Sequence, residues 1–254
     1  MRLVTPAILV HRRGRPDTPS LCVHKLPCMG ARPAAGGGRW LAVSPERIAR
    51  WLAGFDERHR VVRSRYAAVV TFEAADGAVA ECHPPFPPVQ PGGEHGGLVA
   101  EPLIRHATRE RVVGVLLVRL GGHAAGVFEG ERLVASKVGS RLVQGRTAAG
   151  GRSQQRFARR REGQAARAAA AAADEAAGVL LPRLRGPGPG RTLDAVVLGG
   201  ERRAVDALRG DRRLAGVFAL ATDRFLTTPD PRLAVLRGCP AQFRAVRIRL
   251  VDPP

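Results

Sequence analysis

The chain predicts an α/β fold, a mixed sheet flanked by helices, and three observations carry that prediction. Apolar runs broken by Gly121-Gly122 and Glu129-Gly130 give a three-strand antiparallel meander over residues 112–138. An alanine-rich stretch over residues 153–181, closed by Pro182, reads as one long helix, and a continuous apolar run at 193–198 reads as a buried strand. With a short helix over 201–208, the order β-β-β-α-β-α suggests the ribonuclease H-like arrangement, with the long helix placed after a glycine loop.

The remaining elements follow in order. Residues 1–38 are rich in Pro, Gly and Arg without sustained periodicity and read as a disordered basic extension. Ser44-Pro45-Glu46 marks a helix start, with Ser at the cap, Pro at the first helical position and Ile48, Trp51, Leu52 and Phe55 at helical spacing. Residues 66–72 and 78–82 read as two strands joined by a turn at Asp76-Gly77. The proline run Pro84-Pro85-Phe86-Pro87-Pro88 and the glycines up to Gly97 read as a linker, and residues 245–251 as a late strand. The expected division is a basic extension over 1–38, a helix-hairpin part with its linker over 39–98, and a catalytic domain over 99–254.

The 254 residues carry a formal charge of +19, which favours a polyanionic partner, RNA foremost. Lys25 and Lys137 are the only lysines, in a chain also rich in alanine, glycine and proline, so local clustering says more than the total. Between Lys137 and Arg161 stand eight basic residues and no acidic one: Lys137, Arg141, Arg146, Arg152, Arg156, Arg159, Arg160 and Arg161. Arg156 falls in the first helical turn, where the helix dipole disfavours a cation by roughly 0.3–1 kcal/mol, so a bound phosphate is the economical explanation. The bland alternative is a solvated face in an arginine-rich chain.

Gly150-Gly151 can adopt backbone conformations closed to other residues and bring amides close to a ligand, while the amides of Gln154 and Gln155 can orient a water or hydroxyl. Ser153 is placed to cap the helix and Phe157 to anchor its base. Cys22, Cys28, Cys82 and Cys239 form no CxxC pair and read as free thiols; Cys22, His24 and Cys28 lack a fourth ligand. No metal or cofactor is assigned. The apolar start, residues 1–10, is too short to span a membrane, so a soluble cytoplasmic protein is expected.

Gly150-Gly151-Arg152-Ser153-Gln154-Gln155-Arg156-Phe157-Ala158-Arg159 resembles the catalytic loop of eukaryotic and archaeal class I release factors, which reads Gly-Gly-Gln-Ser-x-x-Arg-Phe-x-Arg. In that register the family's glutamine falls on Arg152. The Vms-like release factors, above all their actinobacterial peptidyl-tRNA hydrolase branch, are a closer likeness. It covers residues 40–251 and rests on Ser136 through Arg141, on Val143-Gln144-Gly145-Arg146-Thr147 and on Ala149 through Gly151. It continues through residues 153–161 and, more weakly, through Leu198-Gly199-Gly200 and Asp230-Pro231-Arg232. In that branch the glutamine lies slightly further on, which implies Gln154, with Gln155 competing; Arg152 stands where relatives often carry a large aromatic residue.

The resemblance implies a monomeric enzyme that hydrolyses the ester between nascent peptide and tRNA on a stalled or split large ribosomal subunit. Peptidyl-tRNA and large-subunit rRNA are its partners. Loop amides would stabilise the oxyanion, the glutamine would orient the water, and basic residues would hold phosphates. Cleavage of the tRNA 3' end through a ribose 2'-hydroxyl and non-catalytic RNA binding remain open. Metal-dependent ribonuclease chemistry is disfavoured, because Glu73, Asp76, Asp194 and Asp206 are scattered.

Overall fold

The computed structural model describes residues 32–140, 153–184 and 191–253, with backbone only for 153–161. A short hairpin comes first, β1 (Arg32–Pro33) and β2 (Arg39–Val43), closed by the Ala34 amide donating to the Gly38 carbonyl. Residues 32–38 therefore belong to the fold rather than to the extension, because Arg32 pairs in register with Trp40. Helix α1 (Pro45–His59) begins where Ser44-Pro45 predicts; Ser44 holds the cap position in an extended conformation but makes no side-chain cap bond. Ile48, Leu52 and Phe55 are fully buried, each worth about 1.5–3 kcal/mol of transfer free energy.

Strands β3 (Val61–Tyr66), β4 (Val70–Ala74) and β5 (Val79–His83) form an antiparallel meander, with Asp76-Gly77 between the last two as expected. The run 66–72 is not one strand: Tyr66 ends β3 and faces Val70 across a hairpin. Residues 66, 70 and 72 share parity, so the inward pattern looks the same whether the chain runs straight or turns back. The expected linker is also corrected. Pro84 and Pro85 are buried, β6 (Gly93–Gly96) pairs with β3, and α2 (Glu101–Thr108) follows. Phe86 explains the packing, its ring meeting Phe243 edge-on at 6.3 Å while the Arg111 guanidinium lies over it at 5.1 Å.

The expected meander follows as β7 (Val112–Arg119), β8 (Gly122–Glu129) and β9 (Arg132–Ser140). Helix α3 (Ser153–Leu180) ends in a 3-10 turn carrying Pro182, and β10 (Ala195–Gly200) returns parallel to β7. Then come α4 (Arg202–Asp206), α5 (Ala215–Ala219), β11 (Ala221–Leu226), α6 (Leu233–Arg237), α7 (Pro240–Phe243) and β12 (Val246–Val251). A mixed five-stranded sheet results, in the order β11-β10-β7-β8-β9, with β11 parallel to β10. The predicted α/β class, a mixed sheet with helices, is what forms.

The last strand departs from expectation. β12 pairs with β2 and β5, so the unit expected over 99–254 gives up its final strand to the seven-stranded sheet β1-β2-β12-β5-β4-β3-β6. Val246, Ile248 and Leu250 alternate inward, a pattern that specifies a half-buried strand but not its neighbours. Arg224 of β11 joins the two sheets. It donates to the carbonyls of Gln242, Phe243, Ala245 and His83, and burial pulls its guanidinium down to about 10.

Candidate functional site

The described residues that border the motif gather at one end of the five-stranded sheet. β7 finishes there at Arg119, β8 starts at Gly122, β9 finishes at Ser140 and β10 finishes at Gly200. It is also where strand order reverses, β8 lying on one side of β7 and β10 on the other. Open α/β sheets place ligands beyond strand C-termini at such a switch point. The segment bearing Arg141, Arg146, Gly150, Gly151 and Arg152 leaves from Ser140 and lies outside the described residues.

Two sequence-distant fragments converge on this end. Gly200 has φ +97°, and a Cβ there would stand 2.2 Å from the Val118 carbonyl oxygen, so the Gly199-Gly200 pair is demanded by close strand approach. Asp230 forms an ion pair with Arg119 at 3.4 Å, and the buried Pro231 packs beneath Gly122. Arg202, Arg203 and Arg232 are exposed at the same end and meet no carboxylate within 4 Å among the described residues, the Arg202 guanidinium lying 4.4 Å over the Phe225 ring. Sequence reasoning named Arg232 only as part of a weak family match and did not pick out the Arg202-Arg203 pair; the two stretches are far apart in the chain, and only topology brings them to the sheet end where β9 finishes.

Helix α3 presents the paired glutamines. Ala172, Ala173, Ala176 and Ala177 are buried in the core shared with Ala125 and Val127, so the alanine run is a packing surface that lets helix and sheet approach closely. Near the sheet end the imidazole Nε2 of His123, in a residue 5% exposed, sits 3.0 Å from the Glu175 carboxylate. Gly139, opposite His123 in register, leaves room for that pair: a Cβ would stand 2.4 Å from His123 Nε2 and 2.9 Å from Glu175. From Glu175 back to Ser153 the helix rises about 1.5 Å per residue, roughly 33 Å in all, so Ser153, Gln154 and Gln155 open a helix that runs well past its contact with His123.

Arg156, Arg159, Arg160 and Arg161 lie in the same opening turns, and the first turn contains no acidic residue. The side chains of these residues and of Phe157 lie outside the described set. Lys137 is exposed on the edge strand β9 and stands opposite Ala125, on the sheet face that α3 covers. Among the described residues no His, Cys, Asp or Glu cluster has metal-binding geometry, and Cys82 and Cys239 are free and buried. Burial raises both thiols, Cys239 to about 12. A cleft of about 1040 Å³ has Arg105, Arg109, Asp194 and Asp223 among its described lining residues, with Asp194 and Ala195 before and at the start of β10, away from the end where β10 finishes at Gly200. Among the described residues no helix is long and apolar enough to cross a membrane.

Gly139→Ala is expected to cost about 2 kcal/mol, since the new methyl must displace a buried ring packed against Glu175. Urea unfolding measures this, and an unchanged midpoint would show that the His123–Glu175 contact yields freely.

Comparison with known proteins gives one family: the model for the Actinobacteria/chloroflexi VLRF1 release factor matches residues 111–249. No curated protein matches the chain. Among solved structures, an archaeal translation termination factor, aRF1, is 14% identical over 80% of this chain and 73% of its own, with a TM-score of 0.37. Pelota of Archaeoglobus fulgidus is 9% identical over 85% of this chain and 67% of its own, with a TM-score of 0.27. An archaeal protein is 13% identical over 80% of this chain and 73% of its own, with a TM-score of 0.34.

Proposed function

Because the chain belongs to the Actinobacteria/chloroflexi VLRF1 release factor family, we propose that it is a peptidyl-tRNA hydrolase that frees nascent peptides from tRNA on stalled or split large ribosomal subunits. The observation that carries this is the position of Gln154 and Gln155 in the opening turn of α3, inside the family match and separated from the Gly150-Gly151 pair only by Arg152 and Ser153. In this mechanism the Gln154 amide, or that of Gln155, orients a water whose oxygen attacks the ester carbonyl carbon. The ribose oxygen then leaves, taking up a proton, and the peptide departs as its acid.

Negative charge developing on the carbonyl oxygen is met by loop amides and by the positive end of the α3 dipole. No titrating side chain and no cofactor is required. Lys137 and the arginines at 141, 146, 152, 156 and 159–161 hold tRNA and rRNA phosphates, with Arg202, Arg203 and Arg232 extending the basic surface around the sheet end. Ser153 opens the helix. The strand order, three antiparallel strands continued by two parallel to the first, supports a ribonuclease H-like catalytic unit. The protein acts as a monomer in the cytoplasm, where its substrate is made.

The test is a release assay with purified large subunits carrying end-labelled peptidyl-tRNA. Free peptide with full-length tRNA is the expected product; a shortened tRNA bearing a cyclic phosphate would assign 3'-end cleavage instead. Binding to the subunit is expected to weaken about tenfold or more when Arg159, Arg160 and Arg161 are all changed to Glu, with a shallower dependence on salt. Equal binding before and after the charge reversal would remove the basic helix from the interface.

A further inference from the structure

Among the described residues, helices α1 and α2 pack on one face of the seven-stranded sheet. Ile48, Leu52 and Phe55 of α1 and Leu103 of α2 pack with Phe72, Cys82 and Ile248 on the inner side. Cross-strand register sets a different group on the outer side. Arg32 stands opposite Trp40, Trp40 opposite Arg249 and Arg249 opposite Glu81, while in the adjoining row Arg247 stands opposite His83. None of the six belongs to the buried set, and Arg32 and Arg247 are exposed.

Three planar groups meet at the centre of this face. The Arg247 guanidinium lies 5.1 Å from the Trp40 ring centroid, and the His83 ring lies 5.1 Å from the same indole, tilted by 57°. Glu81 is engaged by Arg249 at 3.0 Å, whereas Arg32 and Arg247 have no carboxylate within 4 Å among the described residues. His83 Nε2 is shielded from solvent yet has no hydrogen-bond partner among the described residues. Burial, reinforced by Arg247, holds the His83 pKa below the usual histidine value, so its ring is neutral near pH 7.

Flat π surfaces beside guanidiniums that meet no carboxylate among the described residues, on a sheet face that no described helix covers, are the means by which proteins hold unpaired nucleotides. Bases stack on the rings and guanidiniums take the phosphates. A duplex keeps its bases stacked internally and cannot use such a platform, and an acidic peptide would use the charges but not the rings. We infer that this outer face, centred on Trp40, His83 and Arg247, binds a single-stranded segment of RNA. The site is on the other sheet from the glutamine motif, and its action does not depend on peptide release.

The chain has two tryptophans, and Trp51 stacks on Phe55 inside the α1 packing, so Trp51→Phe leaves Trp40 as the sole tryptophan, excited selectively at about 295 nm. The experiment uses the full chain with the Arg159, Arg160 and Arg161 charges reversed, to mute the basic helix. A 12-nucleotide single-stranded RNA, the duplex of that length and a poly-glutamate peptide are titrated in parallel. Single-stranded RNA is expected to quench Trp40 emission. Trp40→Ala should weaken its binding about tenfold or more and Arg247→Gln several-fold, with Trp40→Phe keeping most of the affinity. Thermal melts confirm folding of each variant, and the exposed Arg247→Gln carries the test should Trp40→Ala fail to fold. Absence of quenching, RNA affinity indifferent to both Trp40 and Arg247, or quenching by the peptide in place of RNA would each overturn the assignment. Neither readout involves release, so failure here leaves the hydrolase proposal standing.

Discussion

Replacing Gln154 and Gln155 together by alanine is expected to lower the peptide-release rate about 100- to 1000-fold while leaving binding to the large subunit within about twofold. The two effects are expected to separate because the amides are assigned to the attacking water and the affinity to arginines elsewhere on α3 and at the sheet end. An interaction made mainly in the transition state lowers kcat with little change in KM. The single variants rank the two glutamines: the larger loss is expected at Gln154, with Gln155 second. Full release by the double variant would end the glutamine mechanism, and equal losses in binding and release would make the pair a docking element.

Arg224→Ala is expected to destabilise the protein by about 3 kcal/mol, lowering the thermal midpoint by roughly 6–12 °C. Its guanidinium donates to Gln242, Phe243 and Ala245 just before β12 and to His83 at the end of β5, so one side chain ties β11 to the other sheet. Without it, carbonyls that are half-buried or buried lose their donor, and the small alanine admits no replacement. Arg224→Lys recovers only part of the loss, because an ammonium cannot span acceptors on two elements. Calorimetry of the two variants decides the matter; a midpoint within about 2 °C of the parent would show that packing between Phe86, Phe128 and Phe243 holds the sheets without the arginine.

Much of the five-stranded unit is legible in the chain because its elements are long and their partners local. Three apolar runs with two-residue turns pair with each other whatever surrounds them, and twenty-eight residues rich in alanine and closed by a proline make a helix. Several short elements were not legible, although the helix over 201–208 and the strand over 245–251 were. β6, Gly-Glu-His-Gly, has no apolar residue and exists through pairing with β3; α2 shows only Leu103 and Ala107 as a helical repeat. β11 has only Leu226 fully buried, too little alternation to announce a strand.

The residue types of the candidate site were set by the sequence alone: the glycine pair, the displaced glutamines and the basic cluster are local, and their spacing survives any folding of the rest. So was the α/β class, through periodicity. Which distant residues share the site was decided only by tertiary structure. Gly199-Gly200, Arg202, Asp230 and Pro231 reach one sheet end because β10 returns parallel to β7, and His123 meets Glu175 because Gly139 leaves the space. The same holds for β12. Its alternation says that one face is buried, but the partner on each edge depends on strands more than 150 residues away, whose cost of closure no local pattern records.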